Sequence, residues 1–255
     1  MEFLNELTDG LPRDIFTFIL IILICIIHIN AHRLFYFKSI HKKFWISFFG
    51  GISVAYVFVH IFPELATGQN YIKNLNEPLL KFFDYHIYLI SLMGFLIFYG
   101  IEHYAYKSKQ NNSYHNQLDN TENHIYYIHS LLYFLFNFLI AYIIADEEFS
   151  SIIQLLLFWF AMFTHLLIVD YNSFEYHRLL YKKYTRWCFA AASISGWLIG
   201  VLLYVNHTVM LILFAFLSGG IILNVIREEI PEQRQSNYWG FFCGAIVYSL
   251  ILIFL

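Results

Sequence analysis

The stretch FFGGISVAYVFVHIFPELA, residues 48–66, opens on two phenylalanines and a glycine pair and stays apolar for more than two turns. It closes on His60, Pro63 and Glu64, with the histidine and the carboxylate four residues apart. A helix needs roughly 18 or more predominantly apolar residues to cross a hydrocarbon core. Seven further stretches of this kind lie along the chain, giving expected spans at about 15–35, 44–65, 85–105, 125–145, 152–170, 188–205, 209–225 and 238–255. Composition agrees: 59% of the 255 residues are hydrophobic, 13% are charged, and the mean hydropathy is +0.58. Soluble domains average about 45–50% apolar and about 25% charged residues. Four prolines and no sustained apolar–polar alternation argue for helices over a barrel. The expected fold is all-α, a single polytopic membrane domain over residues 1–255.

Charge placement tests the span count independently. Lysine and arginine collect in cytoplasmic loops. With the amino terminus outside, the inner loops hold Arg33, Lys38, Lys42, Lys43, Lys107, Lys109, Arg178, Lys182, Lys183, Arg186, Arg227 and Arg234, twelve of the 15 basic residues. Arg13, Lys73 and Lys81 fall outside. Removing a span before the last would invert several loops and destroy this asymmetry. Eight spans, with both termini on the non-cytoplasmic side, is the reading that preserves it.

Several classes are set aside by the same sequence. The acidic start, with Glu2, Glu6 and Asp9, lacks the basic region of a cleavable signal peptide and favours an uncleaved first helix. Cys25, Cys188 and Cys243 all lie in expected spans, without a disulfide or zinc-knuckle spacing. No nucleotide loop, nucleophile motif or nucleic-acid-binding patch is present. Two hydrophilic stretches remain: an outer loop from Gly68 to Asp84, expected to lie on the interface, and an inner one, KSKQNNSYHNQLDNTEN from Lys107, expected as a flexible cytoplasmic linker over 106–124.

An internal echo gives the opening stretch more weight. GGISVAYVFVHIFPE (Gly50–Glu64) and GGIILNVIREEIPE (Gly219–Glu232) both run from a glycine pair to Pro-Glu, with eleven and ten residues between pair and proline. In the expected topology they cross in opposite directions. The spans that follow each carry glycine early: Gly94 in one, Gly240 and Gly244 in the other. Spans one to three and six to eight then form an inverted repeat around spans four and five, a plan frequent among transporters.

On these residues the chain resembles the ZIP (Zrt/Irt-like) metal transporter family: eight helices, both ends outside, and a 3+2+3 repeat. GGISVAYVFVHIFPEL is similar to the family's second span, and AFLSGGIILNVIREEIPE to its seventh. The resemblance implies that each Pro-Glu ends its helix and that metal ligands sit in spans four and five. There HSLLYF matches the fourth-span motif at His129 and Ser130, with Tyr133 where an acid is expected. HLLIVD matches the fifth-span motif at His165 and Asp170, with Leu166, Ile168 and Val169 at positions for an acid, a proline and a ligand. The resemblance thus implies a metal set of His129, Ser130, His165 and Asp170, fewer donors than the about four that a zinc ion takes with carboxylates to offset its charge.

Other ionisable groups in spans are functional candidates because they are costly in lipid. His60, Glu64, Glu102, His103, Glu228 and Glu229 are the candidate pathway residues; each is equally consistent with a helix-end or loop position. His28 and His32 are expected to reach the inner interface. Asp146, Glu147 and Glu148 form an outer acidic cluster. Three functions fit: a divalent metal (zinc-like) transporter with a reduced site, a transport-inactive relative acting as partner or regulator, and a membrane enzyme with a histidine-held metal. The first takes zinc or another divalent metal as substrate, uses no organic cofactor, catalyses no reaction, contacts lipid and no nucleic acid, and is compatible with a homodimer. With it goes the expectation that His129 and His165 lie at similar depth, with imidazoles within about 8 Å and the Tyr133 hydroxyl bonded to one of them.

Overall fold

The computed structural model describes residues 12–34, 42–74, 86–116, 123–146, 149, 151–176, 178–203, 205–226 and 237–254. Eight helices run through them. They are α1 (Arg13–Leu34), α2 (Lys42–Tyr56, continued through the π turn Val57–Ile61 into Phe62–Asn74), α3 (His86–Asn116), α4 (Asn123–Asp146), α5 (Ile152–Tyr176), α6 (Arg178–Leu180, the π turn Tyr181–Thr185, then Arg186–Leu202), α7 (His207–Asn224) and α8 (Tyr238–Phe254). Seven are long and apolar enough to cross a bilayer, and Tyr238–Ile253 in α8 is a shorter apolar helix. No strand occurs among the described residues. The chain is a multi-pass integral membrane protein.

Local chemistry sets the helix starts. Pro12 precedes α1, its carbonyl accepting from the Ile15 and Phe16 amides, and Asp14 complements the positive end of the first turn. The Asn206 side chain accepts the Thr208 amide at 2.8 Å, Asn237 accepts that of Gly240 at 2.9 Å, and Ser151 accepts that of Gln154 at 3.2 Å. Each satisfies a donor that a helix start leaves open. Asn206 is thus an N-cap.

The expectation that Pro-Glu ends the helix is corrected in α2, which continues past Pro63 to Asn74. Proline lacks an N–H and its ring collides with the carbonyl four residues back. Here the wide turn Val57–Ile61 precedes it, and the Phe62 amide reaches back five residues to the Val57 carbonyl. The shift in register absorbs the proline without a break. The second Pro-Glu, at Pro231, lies outside the described residues, although π geometry also begins at Val225 after α7. The polar stretch from Lys107 is likewise helical as far as Asn116, since no glycine or proline lies between Lys107 and Asn116 to interrupt it. The rest of that expected linker, residues 117–122, lies outside the described residues, as do residues 75–84 of the outer loop.

The helices divide into two units. The first comprises residues 1–37 and 101–205, and so α1, the end of α3, α4, α5 and α6; the second comprises 38–100 and 206–255. In the first unit, α1 buries Leu20, Ile21, Ile24, Cys25, His28 and Ala31 while exposing Ile15, Ile19, Leu23 and Ile26. Both faces are apolar, as lipid contact requires, so burial here follows packing and not polarity. Gly196 on α6 meets the Phe138 carbonyl of α4 so closely that a Cβ would collide with it.

In the second unit, glycines make two close crossings. A Cβ on Gly51 of α2 would strike the Phe241 carbonyl of α8, and one on Gly244 of α8 would strike Phe48 of α2. A Cβ on Gly219 of α7 would strike the Ser91 carbonyl of α3, and one on Gly94 of α3 would strike Phe216 of α7. The buried Gln69 side chain accepts the Ile87 amide at 3.0 Å, tying the far end of α2 to the start of α3.

Candidate functional site

Among the described residues of the first unit two carboxylates are buried, and each is held by a histidine and a tyrosine. Glu102 of α3 has its Oε1 2.7 Å from His129 Nε2 and accepts the Tyr133 hydroxyl at 2.7 Å. Asp170 of α5 has its Oδ2 2.7 Å from His28 Nδ1 and accepts the Tyr181 hydroxyl on Oδ1 at 2.8 Å. Tyr181 also lies 3.0 Å from the His28 carbonyl, and Ser193 Oγ is 3.4 Å from His28 Nε2. All these side chains are 5% exposed or less. An ionised carboxylate in such surroundings is tolerated only when paired and hydrogen-bonded, and both are.

The two groups lie at similar residue counts from their helix ends. His28 is six residues from the end of α1, Asp170 six from the end of α5, and His129 six from the start of α4. At 1.5 Å per residue each lies about 9 Å inside its helix end. The ring of Phe189 on α6 stands between them, its centroid 5.7 Å from that of His28 and 6.3 Å from that of Tyr133. On α4 the polar side chains His129, Tyr133 and Asn137 recur every four residues on one buried face.

This arrangement relocates much of what sequence implied. His129 is buried as expected, but its partner is Glu102, a carboxylate from another helix. The Tyr133 hydroxyl reaches that same carboxylate, so its expected bond to a histidine is replaced by one to the acid beside it. His165 is buried against Phe136, with ring centroids 5.4 Å apart. It lies eleven residues from the end of α5 and so about 7.5 Å deeper than Asp170. Ser130, next to His129, is half-buried and its Oγ has no hydrogen-bond partner. Asp170 is fully enclosed with His28 and Tyr181. His28 does not reach the interface, because it lies on the buried stripe of α1 where Asp170 compensates its polarity.

Of the pathway candidates, Glu102 is buried and the adjacent His103 is exposed, since neighbouring residues of a helix point apart. His60 and Glu64 belong to the second unit and are half-buried; the His60 ring stacks on Tyr56 at 4.9 Å beside the π turn. Glu228 and Glu229 lie outside the described residues, as do Glu147 and Glu148. Tyr181 was not anticipated, and His28 was singled out without its partner. The spacing of His129, Tyr133 and Asn137 was the available signal for α4, while no spacing links His28 to a residue 142 positions away.

Chemically, the Glu102 group offers one imidazole nitrogen and one carboxylate, pinned by a phenol. Among the described residues no group of three or more His, Cys, Asp and Glu stands close enough to hold a metal ion. No protein-family profile, curated protein or solved structure matches this chain.

Proposed function

We propose that this chain is a ZIP-like membrane carrier of a divalent cation, with His129 and Glu102 as its cation contact in the first unit. The observation that carries this reading is the buried Glu102–His129 pair. The acid missing from the α4 motif at Tyr133 has a counterpart in a carboxylate supplied by α3, on the histidine that opens the motif. Carboxylate and imidazole suit zinc and similar ions, and water completes a shell of about four donors. His165, Ser130 and Asp170 are the other proposed ligands, and each must turn from its present surroundings to reach a shared ion. The carrier makes and breaks no covalent bond and uses no organic cofactor.

The inverted 3+2+3 repeat belongs to the same proposal. Support comes from π geometry that starts six residues before the proline of each Pro-Glu, at Val57 and at Val225. Exchanging α2 with α7 and α3 with α8 also converts the α2–α8 glycine crossing into the α7–α3 crossing. Eight spans with both termini on the non-cytoplasmic side complete the plan.

The test is metal content and metal flux of the purified, reconstituted protein. Roughly stoichiometric zinc, lost in both His129→Ala and Glu102→Gln, is the expected outcome. A second reading, a transport-inactive partner of other membrane proteins, is favoured by the small donor set among the described residues. Absence of bound metal and of flux under all conditions would decide for it. The histidine-metal enzyme faces the same shortage of donors and has no separate observation in its favour.

A further inference from the structure

The start of α6 combines charge, aromatic support and exposed apolar surface in one short segment. Arg178, Lys182, Lys183 and Arg186 fall within nine residues. Arg178 and Lys183 are exposed, and Lys182 and Arg186 are half-buried. The π turn Tyr181–Thr185 lies inside the segment. Its wider turn brings residues four apart closer to alignment than an α turn does, so Arg178, Lys182 and Arg186 share one face. Two contacts agree with that alignment: the Arg178 guanidinium and the Lys182 ammonium lie over the same Phe174 ring, at 5.5 and 5.6 Å from its centroid. Lys183 sits over Tyr184 at 4.9 Å and Arg186 over Trp187 at 5.2 Å. Resting on rings limits the freedom these chains would lose on binding an anion.

Arg186 is only partly satisfied within the fold. Its Nη1 donates a long bond, 3.4 Å, to the Ile29 carbonyl of α1, and its Nε is buried with no hydrogen-bond partner. Arg33, one turn beyond Ile29 towards the same end of α1, is exposed and adds a fifth cation at that level.

We propose that this patch binds the phosphate headgroup of an acidic phospholipid. Guanidinium forks match phosphate oxygens bidentately, and ammonium groups add point charge. Basic clusters at the end of a membrane helix attract anionic headgroups. A membrane lipid fits better than free phosphate because Leu179, Tyr184 and Trp187, at 80%, 48% and 51% exposure, flank the cations on a helix that itself crosses the membrane. They offer apolar and interfacial contact to acyl chains that a soluble anion cannot use. The site is independent of whether the chain carries metal.

Native mass spectrometry of the full chain in detergent, titrated with phosphatidylglycerol or phosphatidylcholine, tests this directly. The unmodified protein should retain at least one phosphatidylglycerol in preference to phosphatidylcholine, and added salt should weaken that preference. Each cation removed should lower the affinity about fivefold, so R178Q/K182Q/K183Q together should lower it on the order of a hundredfold. Arg13→Gln, at the opposite end of α1, should leave it unchanged. Equal retention of the two lipids, or full retention by the triple variant, overturns the proposal. Displacement of the lipid by millimolar inorganic phosphate overturns it in favour of a soluble-anion site.

Discussion

Asp170 shows how a single side chain changes meaning once its surroundings are known. On a motif it is a metal ligand; in the fold it joins α1, α5 and α6 through His28, Tyr181 and, by way of His28, Ser193. Removing one partner of a buried ion pair leaves the other uncompensated, at a cost of about 3–5 kcal/mol. Asp170→Leu and His28→Leu should therefore each destabilise the protein by about that much, measured by denaturant unfolding in detergent. The double variant should recover most of the loss, because neither polar group is then stranded. Additive losses in the double variant would show that the two residues act separately. Glu102 presents the opposite case: a residue read as a pathway candidate or a helix-end acid stands 2.7 Å from His129, because α3 carries it into the interior beside α4.

Among the helices, glycine placement decides which pairs approach closely. Without a hydrophobic drive between helices in lipid, small residues that admit backbone contact supply the packing energy. Gly51 and Gly219 each face a neighbouring carbonyl with no room for a Cβ, whereas Gly100 has nothing within 4 Å of that position. Gly51→Val and Gly219→Val should each lower stability by about 1–3 kcal/mol through overpacking. Gly100→Ala should be neutral or stabilising by up to about 1 kcal/mol, as alanine is the better helix former. Thermal unfolding of the three variants checks this, and equal tolerance of all three would refute the crossings. The π turns act on the same level: one carries α2 past Pro63, the other aligns cations at the start of α6.

For the molecule as a whole, the central quantity is the number of crossings. Seven helices meet the length and apolarity for a full span and α8 is shorter. Tags at the two termini should both report from the non-cytoplasmic side in a protease-protection assay on sealed vesicles. Protection of one tag only would mean that α8 does not cross, and the eight-span plan would have to be abandoned. The short length of α8 is offset by its close packing on α2 through Gly240 and Gly244, which places its residues against a helix long enough to span.

Apolar run length and the positions of proline and basic residues made the helical membrane class legible in the chain, with span positions within a few residues of the helices at most ends. These are local properties: a helix in lipid satisfies its own backbone, so each span is specified by its own composition. The glycine pairs were legible for the same reason. The partner of each buried polar group was not. His28 and Asp170 are 142 positions apart, and Glu102 reaches His129 from a different helix. Which carboxylate meets which histidine depends on the order and rotation of packed helices, a property of the bundle and not of any segment. The passage of α2 beyond Pro63 had a similar origin, because a shift in hydrogen-bond register carries no composition signal. Sequence thus settled which segments form apolar helices, while packing settled which of their few polar groups meet.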